Sequence, residues 1–329
     1  TAPEERVILR PQGPTVIERV GSNVLTLDHC DLTISGVTTK DLYFYEAQKR
    51  TWQAHGFAAD PWDNAVQYRS SILDRDTFAV NSGFTADFHF IMEEGVDTRG
   101  MRAVVERPGV FRVAVNGTPV KPLKGQWWLD KSFGVYEIGA FVKPGDNVIT
   151  VIAQPFTIHT ELEPVYVLGN FSLENAQRAF TMVPATTVRM GPWNEQGMPF
   201  YAAGMKYTQV VHMDAKKGKS AAAKYCVQLG KWKGVVASVM VNGKDAGIIA
   251  FAPSTLDITK LMKIGKNTVS VIVYGSLKNT LGPHHGDPPL GMAWPGSFQK
   301  SGDTQPAPGS TYSVLGYGLM EGFSILSGE

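Results

Sequence analysis

The chain has little of what most function classes require. It carries two cysteines in 329 residues, Cys30 and Cys226. That allows at most one disulfide, and their separation gives neither a CxxC motif nor a zinc-finger spacing. No apolar run approaches the ~20 residues that cross a bilayer as a helix, so no membrane partner is expected. Neither sign of charge dominates: 31 Lys and Arg against 30 Asp and Glu leave a formal charge of +1. Nothing in that balance draws the protein to nucleic acid or anionic lipid. A phosphate-binding loop, a G-x-S-x-G elbow and a convincing G-x-G-x-x-G are all missing. So is a signal peptide, because Thr1-Ala2-Pro3-Glu4-Glu5-Arg6 is polar and has no initiator Met. The expectation is a processed or excised piece of something longer.

What is present is turn chemistry and alternation. Gly (34) and Pro (20) are abundant while charged residues make up only 19%, a profile of turn-rich β structure, and 43% hydrophobic residues exclude general disorder. Helical periodicity is confined to residues 39–55, with Asp41 as a candidate cap and Gly56 as a stop, and more weakly to residues 174–180. Elsewhere apolar residues recur at every second position. Examples are Phe84, Ala86, Phe88 and Phe90; Phe111, Val113 and Val115; Val235, Ala237, Val239 and Val241; and Val269, Val271 and Val273.

An internal repeat organises these strands. One copy contains Val115-Asn116-Gly117 and later Gly145-Asp146-Asn147-Val148; the other contains Val241-Asn242-Gly243 and later Gly265-Lys266-Asn267-Thr268. The offset is 126 residues at the Asn-Gly pair and 120 at the Gly-x-Asn pair, so the first copy holds six extra residues around Trp127-Trp128. Asn-Gly between alternating runs is a hairpin signal. A period near 120 is too long for a solenoid and suits a duplicated domain. The reading is mostly β: two tandem β-sandwiches at residues 61–175 and 176–329, behind an N-terminal segment, residues 1–60, with one helix. That segment is read as a linker or the end of a preceding domain.

The pattern Val241-Asn242-Gly243-Lys244 to Gly247, then Leu256-Asp257-Ile258-Thr259, then Gly265-x-Asn267 and a Val-rich strand, resembles the galactose-binding-like jelly-roll domain of family 2 glycoside hydrolases. The strings Gly125-Gln126-Trp127-Trp128-Leu129-Asp130 and Leu277 to His285 are similar to C-terminal regions of family 2 and family 106 (α-L-rhamnosidase-like) proteins. The resemblance covers about two thirds of the chain and implies two jelly-roll sandwiches. It also implies a carbohydrate ligand, a catalytic domain in the same parent chain and a bacterial secreted or periplasmic location. The (β/α)₈ barrel that holds such enzymes' catalytic carboxylates has no counterpart in this chain, so the resemblance implies a non-catalytic part.

Several residues invite chemistry. Glu161 and Glu163, read as i and i+2 on one strand face, lie near the separations glycosidases use. The competing reading gives them to solvent or to a basic partner. The loop Gly282-Pro283-His284-His285-Gly286-Asp287 leads to Trp294, and it suits sugar: the indole face stacks on C–H groups while His and Asp bond hydroxyls. It equally suits a rigid packed loop, and adjacent histidines need a kink before both can reach one metal. Trp62 and Trp193, each beside an amide or acid on a Pro-led turn, are further sugar platforms or loop anchors. Trp127 and Trp128 should face opposite ways, at most one of them in the core. Trp232 reads as a capped edge, and Arg75 should hold Asp74 or Asp76. No cofactor is evident. A structural calcium on hard oxygen ligands is admitted, at no located site. The expected function is carbohydrate binding or scaffolding within a glycoside hydrolase. The alternatives are a glycan-active enzyme using the Glu pair, and a spacer with no ligand.

Overall fold

The alternating runs become strands with one buried face. In Phe84–Met92 the residues Phe84, Ala86, Phe88, Phe90 and Met92 are buried and those between are more exposed. Val236–Val241 does the same with Ala237, Val239 and Val241. A computed structural model describes residues 7–58, 61, 72–214, 224–286, 295–299 and 306–328. It is mostly β, and the strands stack as sandwiches. No helix among the described residues is long and apolar enough to cross a membrane.

The chain forms two compact units whose boundaries differ from those drawn on the repeat. The larger comprises Asn23–Ala185 with Leu281–Ser313; the smaller comprises Thr1–Ser22, Thr186–Thr280 and Val314–Glu329. The strands of the N-terminal segment are divided between the units: Val7–Leu9 and Val16–Arg19 pair within the smaller, Asn23–Leu27 and His29–Ile34 within the larger.

In the larger unit, Asn23–Leu27 pairs with Val165–Asn175, which pairs on with Asp97–Glu106 and then Asp130–Glu137. The second sheet is built on Phe84–Met92, flanked by Gly145–Ala153 and His29–Ile34. Strand Val165–Asn175 serves both sheets: its first half pairs with Asn23–Leu27, and its second half, after a register shift at Leu168/Asn170, pairs with Phe180–Pro184. The chain also crosses between sheets at Asp28, since Asn23–Leu27 lies in one and His29–Ile34 in the other. Phe88, Val115, Tyr136, Ile149, Val151, Val167 and Phe171 fill the core.

The helix is shorter than its periodicity suggests, running Phe44–Ala54. Residues Val37–Tyr43 instead pair with His29–Ile34, and Asp41, at φ +59, is no cap. Cross-strand pairing there outweighs local preference. Phe44, Ala47, Gln48, Thr51 and Trp52 form the buried stripe. Trp52 meets Phe57 and Phe156 edge-on, and Gly56 (φ +87) stops the helix as expected. Residues 174–180 are not helical; they end one strand, turn, and begin the next.

In the smaller unit a five-stranded sheet runs in the order Lys244–Ile249, Val236–Val241, Gly265–Tyr274, Met205–Met213, Val16–Arg19. A four-stranded sheet holds Val7–Leu9, Phe323–Gly328, Lys224–Leu229 and Thr255–Asp257. Tyr207, Val211, Val239 and Val271 from the first and Val227, Phe323 and Ile325 from the second share one core.

The repeat reappears inside each unit as one hydrogen-bonded device. Asn116 (φ +48) and Gly117 (φ +80) turn one hairpin; Asn242 (φ +52) and Gly243 (φ +79) turn the other. Asn147 Oδ1 accepts from Lys143 N at 2.9 Å and from Asn116 Nδ2 at 2.9 Å, and its Nδ2 donates to Lys143 O at 2.7 Å and Gly145 O at 3.0 Å. Asn267 makes the same four bonds with Lys263, Asn242 and Gly265, at 2.9, 2.9, 2.7 and 3.0 Å. Both asparagines are fully buried. This is why the Asn-Gly and Gly-x-Asn signatures recur together: each supplies the partner the other needs.

Candidate functional site

A charged side chain placed at the corner between two sheets has no solvent to face. Asp28 occupies that corner and is 4% exposed. Its burial is matched by donors. His29 Nδ1 lies 2.8 Å from Oδ1, the Tyr312 hydroxyl donates to the same oxygen at 2.9 Å, and His285 Nε2 lies 2.7 Å from Oδ2. Burial alone would raise the carboxyl pKa, but the hydrogen bonds from His285 and His29 outweigh it and hold the group far below the usual carboxylate range. Tyr43 packs edge-on to His285 at 5.2 Å and tilted to His29 at 5.4 Å. Burial first, then the charges of Asp28 and Glu163, push the Tyr43 phenol up; burial and Glu163 act likewise on Tyr166. The His284 carbonyl accepts from Ser313 N at 2.7 Å, tying the two ends of the 281–313 segment together.

Asp28 and His29 also reach a cleft of about 380 Å³ on the same unit. Its lining mixes charged and apolar side chains: Asp31, Lys40, Asp41, Asp146 and Arg178 stand beside Leu25, Phe90, Ile91 and Phe180. Asp31 Oδ1 accepts from Asp41 N at 2.9 Å and its Oδ2 lies 3.4 Å from His89 Nε2. Arg178 is ion-paired to Asp41. Cys30, buried and free, also lines the cleft; burial, then Asp31 and Asp87, raise its thiol pKa and disfavour the thiolate. The one disulfide the composition allowed, Cys30 to Cys226, is not formed.

The structure redistributes the residues singled out in the sequence. His284 and His285 are buried, and His285 is turned inward to Asp28. Asp287, Trp294 and Trp62 lie outside the described residues. Trp193 is a core residue of the smaller unit, 1% exposed, packed on Tyr201 and donating Nε1–H to the Tyr207 hydroxyl at 3.1 Å. It anchors a loop and offers no face to a sugar. Glu161 and Glu163 precede strand Val165–Asn175 rather than lying on it, with buried Leu162 between them. Glu161 is ion-paired to Arg107 at 2.7 Å, the basic partner offered as the competing reading. Trp127 is 53% exposed, while Trp128 packs on Tyr166 at 5.2 Å, so the pair does split. Trp232 donates to Ser254 Oγ at 3.0 Å from a two-residue edge strand. Arg75 lies 4.0 Å over the Phe57 ring and donates to Gly56 O at 2.6 Å.

Asp28, His29, Tyr43, Tyr166 and Tyr312 escaped sequence reasoning. One signal was available: Asp28-His29 directly follows the mainly apolar Val24-Leu25-Thr26-Leu27, and a charge beside such a run must find partners if it is buried with it.

No protein-family model matches the chain, and no curated protein does. Among solved structures it is similar to a rhamnosidase from Novosphingobium sp. PP1Y, at 16% identity and TM-score 0.30, over 75% of this chain and 23% of that one. An α-L-rhamnosidase from Streptomyces avermitilis, complexed with L-rhamnose, gives 14% identity and TM-score 0.27 over 76% and 24%. A β-D-glucuronidase from Dictyoglomus thermophilum gives 14% and TM-score 0.28 over 82% and 40%. The chain thus spans between about a quarter and two fifths of these proteins' lengths. Likeness this distant carries no argument about activity. The solved structures that the chain resembles are glycoside hydrolases.

Proposed function

We propose that this chain is a non-catalytic, carbohydrate-binding region of a secreted bacterial glycoside hydrolase, with the sugar seated in the cleft of the larger unit. The observation that carries the reading is the cleft's lining. Carboxylates at Asp31, Asp41 and Asp146 accept from sugar hydroxyls, Lys40 and Arg178 donate to them, and Phe180 offers an apolar face. Asp31 and Asp41 are held by backbone and ion-pair contacts, so they present their remaining lone pairs at little further ordering cost. The volume lies at the low end for ligand pockets, about 300–1,000 Å³, and suits a chain end rather than a long polysaccharide. The engagement of Glu161 by Arg107 removes the support for a free glutamate pair. Trp294 and Asp287 are proposed as further sugar contacts, and the catalytic domain of the parent chain as the partner.

A glycan array on the purified chain, followed by calorimetry on any hit, tests this. Asp41→Ala and Asp146→Ala should each weaken binding about tenfold or more, with thermal unfolding of the Asp146 variant unchanged. Binding that ignores both substitutions would move the site elsewhere. Turnover of a bound glycan that is lost in Glu161→Gln would overturn the non-catalytic reading.

A further inference from the structure

The cluster below the cleft does more than the carbohydrate reading asks of it. Asp28, His29 and His285 each present one ligand atom, and these three atoms lie within 4.8 Å of one another, all on buried residues. We infer that Asp28, His29 and His285 form a binding site for a first-row transition-metal dication of the zinc type. The inference does not depend on sugar binding in the cleft.

The donor set favours this class of ion. Two imidazoles and one carboxylate are borderline ligands that suit Zn²⁺, whereas Ca²⁺ and Mg²⁺ call for six or more oxygens. The geometry is close. Four-coordinate zinc with ligands at about 2.0–2.1 Å places its ligand atoms about 3.3–3.4 Å apart. His285 Nε2 stands 2.7 Å from Asp28 Oδ2 and His29 Nδ1 stands 2.8 Å from Asp28 Oδ1, and one ligand atom from each of the three residues lies within 4.8 Å of the others. Side-chain rotations of about an ångström bring them onto one ion. The imidazoles meet edge to face, with planes at 90° and centroids at 5.9 Å, so their nitrogens converge on the carboxylate instead of stacking past it.

The surroundings supply what a closed metal site needs. Tyr312 donates to Asp28 Oδ1 and orients the carboxylate. Tyr43 and Tyr312 wall the imidazoles, at 5.2 and 4.7 Å from the His285 ring. The cleft reaches Asp28 and His29, giving an ion a way in. The nitrogens that would bind the ion are His29 Nδ1 and His285 Nε2, the ones that face Asp28. The ion would join the corner at residues 28–29 to the segment that carries His285.

The test uses the full chain without a histidine tag, stripped with chelator and titrated with Zn²⁺ against a chromophoric competitor. One equivalent should bind, and Co²⁺ should give the visible absorption of a low-symmetry nitrogen-ligated ion. His285→Gln and His29→Gln should each lower the Zn²⁺ affinity by more than the about 10–100-fold that loss of an outer-shell partner costs, while Cys226→Ser leaves it unchanged. Absence of stoichiometric Zn²⁺, binding of Ca²⁺ alone, or affinity indifferent to both histidine substitutions would overturn the site. Should the histidine variants fail to fold, the wild-type Co²⁺ spectrum decides: no such absorption means no site.

Discussion

Replacing the buried asparagine of the repeat should cost each unit nearly the same. Asn267→Ala removes four hydrogen bonds, leaving Lys263 N–H, two carbonyls and one amide hydrogen of Asn242 without their partner. A buried group left unpaired costs about 1–3 kcal/mol. Lys263 is exposed and Gly265 half-exposed, so water recovers part of that. The Asn242 side chain also keeps Leu261 O, at 3.1 Å. A net loss of about 3 kcal/mol follows, a fall of roughly 10 °C in the unit's melting temperature. Asn147→Ala removes bonds of identical length in the larger unit, and should cost the same to within about 1 kcal/mol. Asn267→Asp is the sharper probe. It is nearly isosteric and keeps the acceptor, but it turns an oxygen toward the carbonyls of Lys263 and Gly265. It should therefore destabilise at least as much as alanine. Urea unfolding monitored by near-UV circular dichroism and by tryptophan fluorescence measures all three. A cost below about 1 kcal/mol for either alanine variant would refute the view that these bonds, rather than the Asn-Gly turns alone, hold the repeat together.

Two further expectations concern the larger unit. The Tyr136 hydroxyl is buried with no hydrogen-bond partner among the described residues, so Tyr136→Phe should stabilise by about 1 kcal/mol in urea titrations. Burial pushes this phenol up to about 12. Because the unfolded chain loses that proton first, near pH 10, wild type should lose stability between about pH 10 and 12 and the variant should lose less; destabilisation by the substitution at pH 7 would count against the orphaned hydroxyl. Gly83→Ala places a Cβ 1.9 Å from Ala153 O at φ +119 and should prevent cooperative folding, while Gly117→Ala, at φ +80 with open space around it, should cost only about 1–2 kcal/mol; equal thermal shifts would show that the close approach at Gly83 is not what requires glycine.

The strands were legible because burial of one face leaves a period of two that nothing else produces over nine or ten residues. Phe84–Met92 carries it without interruption, and Gly265–Tyr274 with one break at buried Ser270. The repeat was legible because its turns need particular residues at particular places. Where a segment's state is decided by its neighbours, the same reasoning fails. Leu42 and Tyr45 share a helical spacing, yet Leu42 pairs with Cys30 across a strand ladder and only Phe44 onward is helix. Trp193 on its Pro-led turn reads alike whether its indole faces solvent or a core, and the deciding partner is a hydroxyl fourteen residues on. The candidate site lies furthest from local reading. His285 was visible as an unusual residue, but the acid beside it in sequence is Asp287, while the acid it binds is Asp28, 257 residues away. No spacing rule spans that distance. What makes the pairing necessary is topological: the chain changes sheets at residue 28, and the acid at that corner is buried but for the edge that meets the cleft. An anion so placed has to be met by donors from whatever segment covers the corner. In this protein that segment runs from 281 to 313, and it brings His285 and Tyr312. Asp28 beside its apolar run was thus the readable half of the site, and the crossing that gave it partners was the half that only the fold could supply.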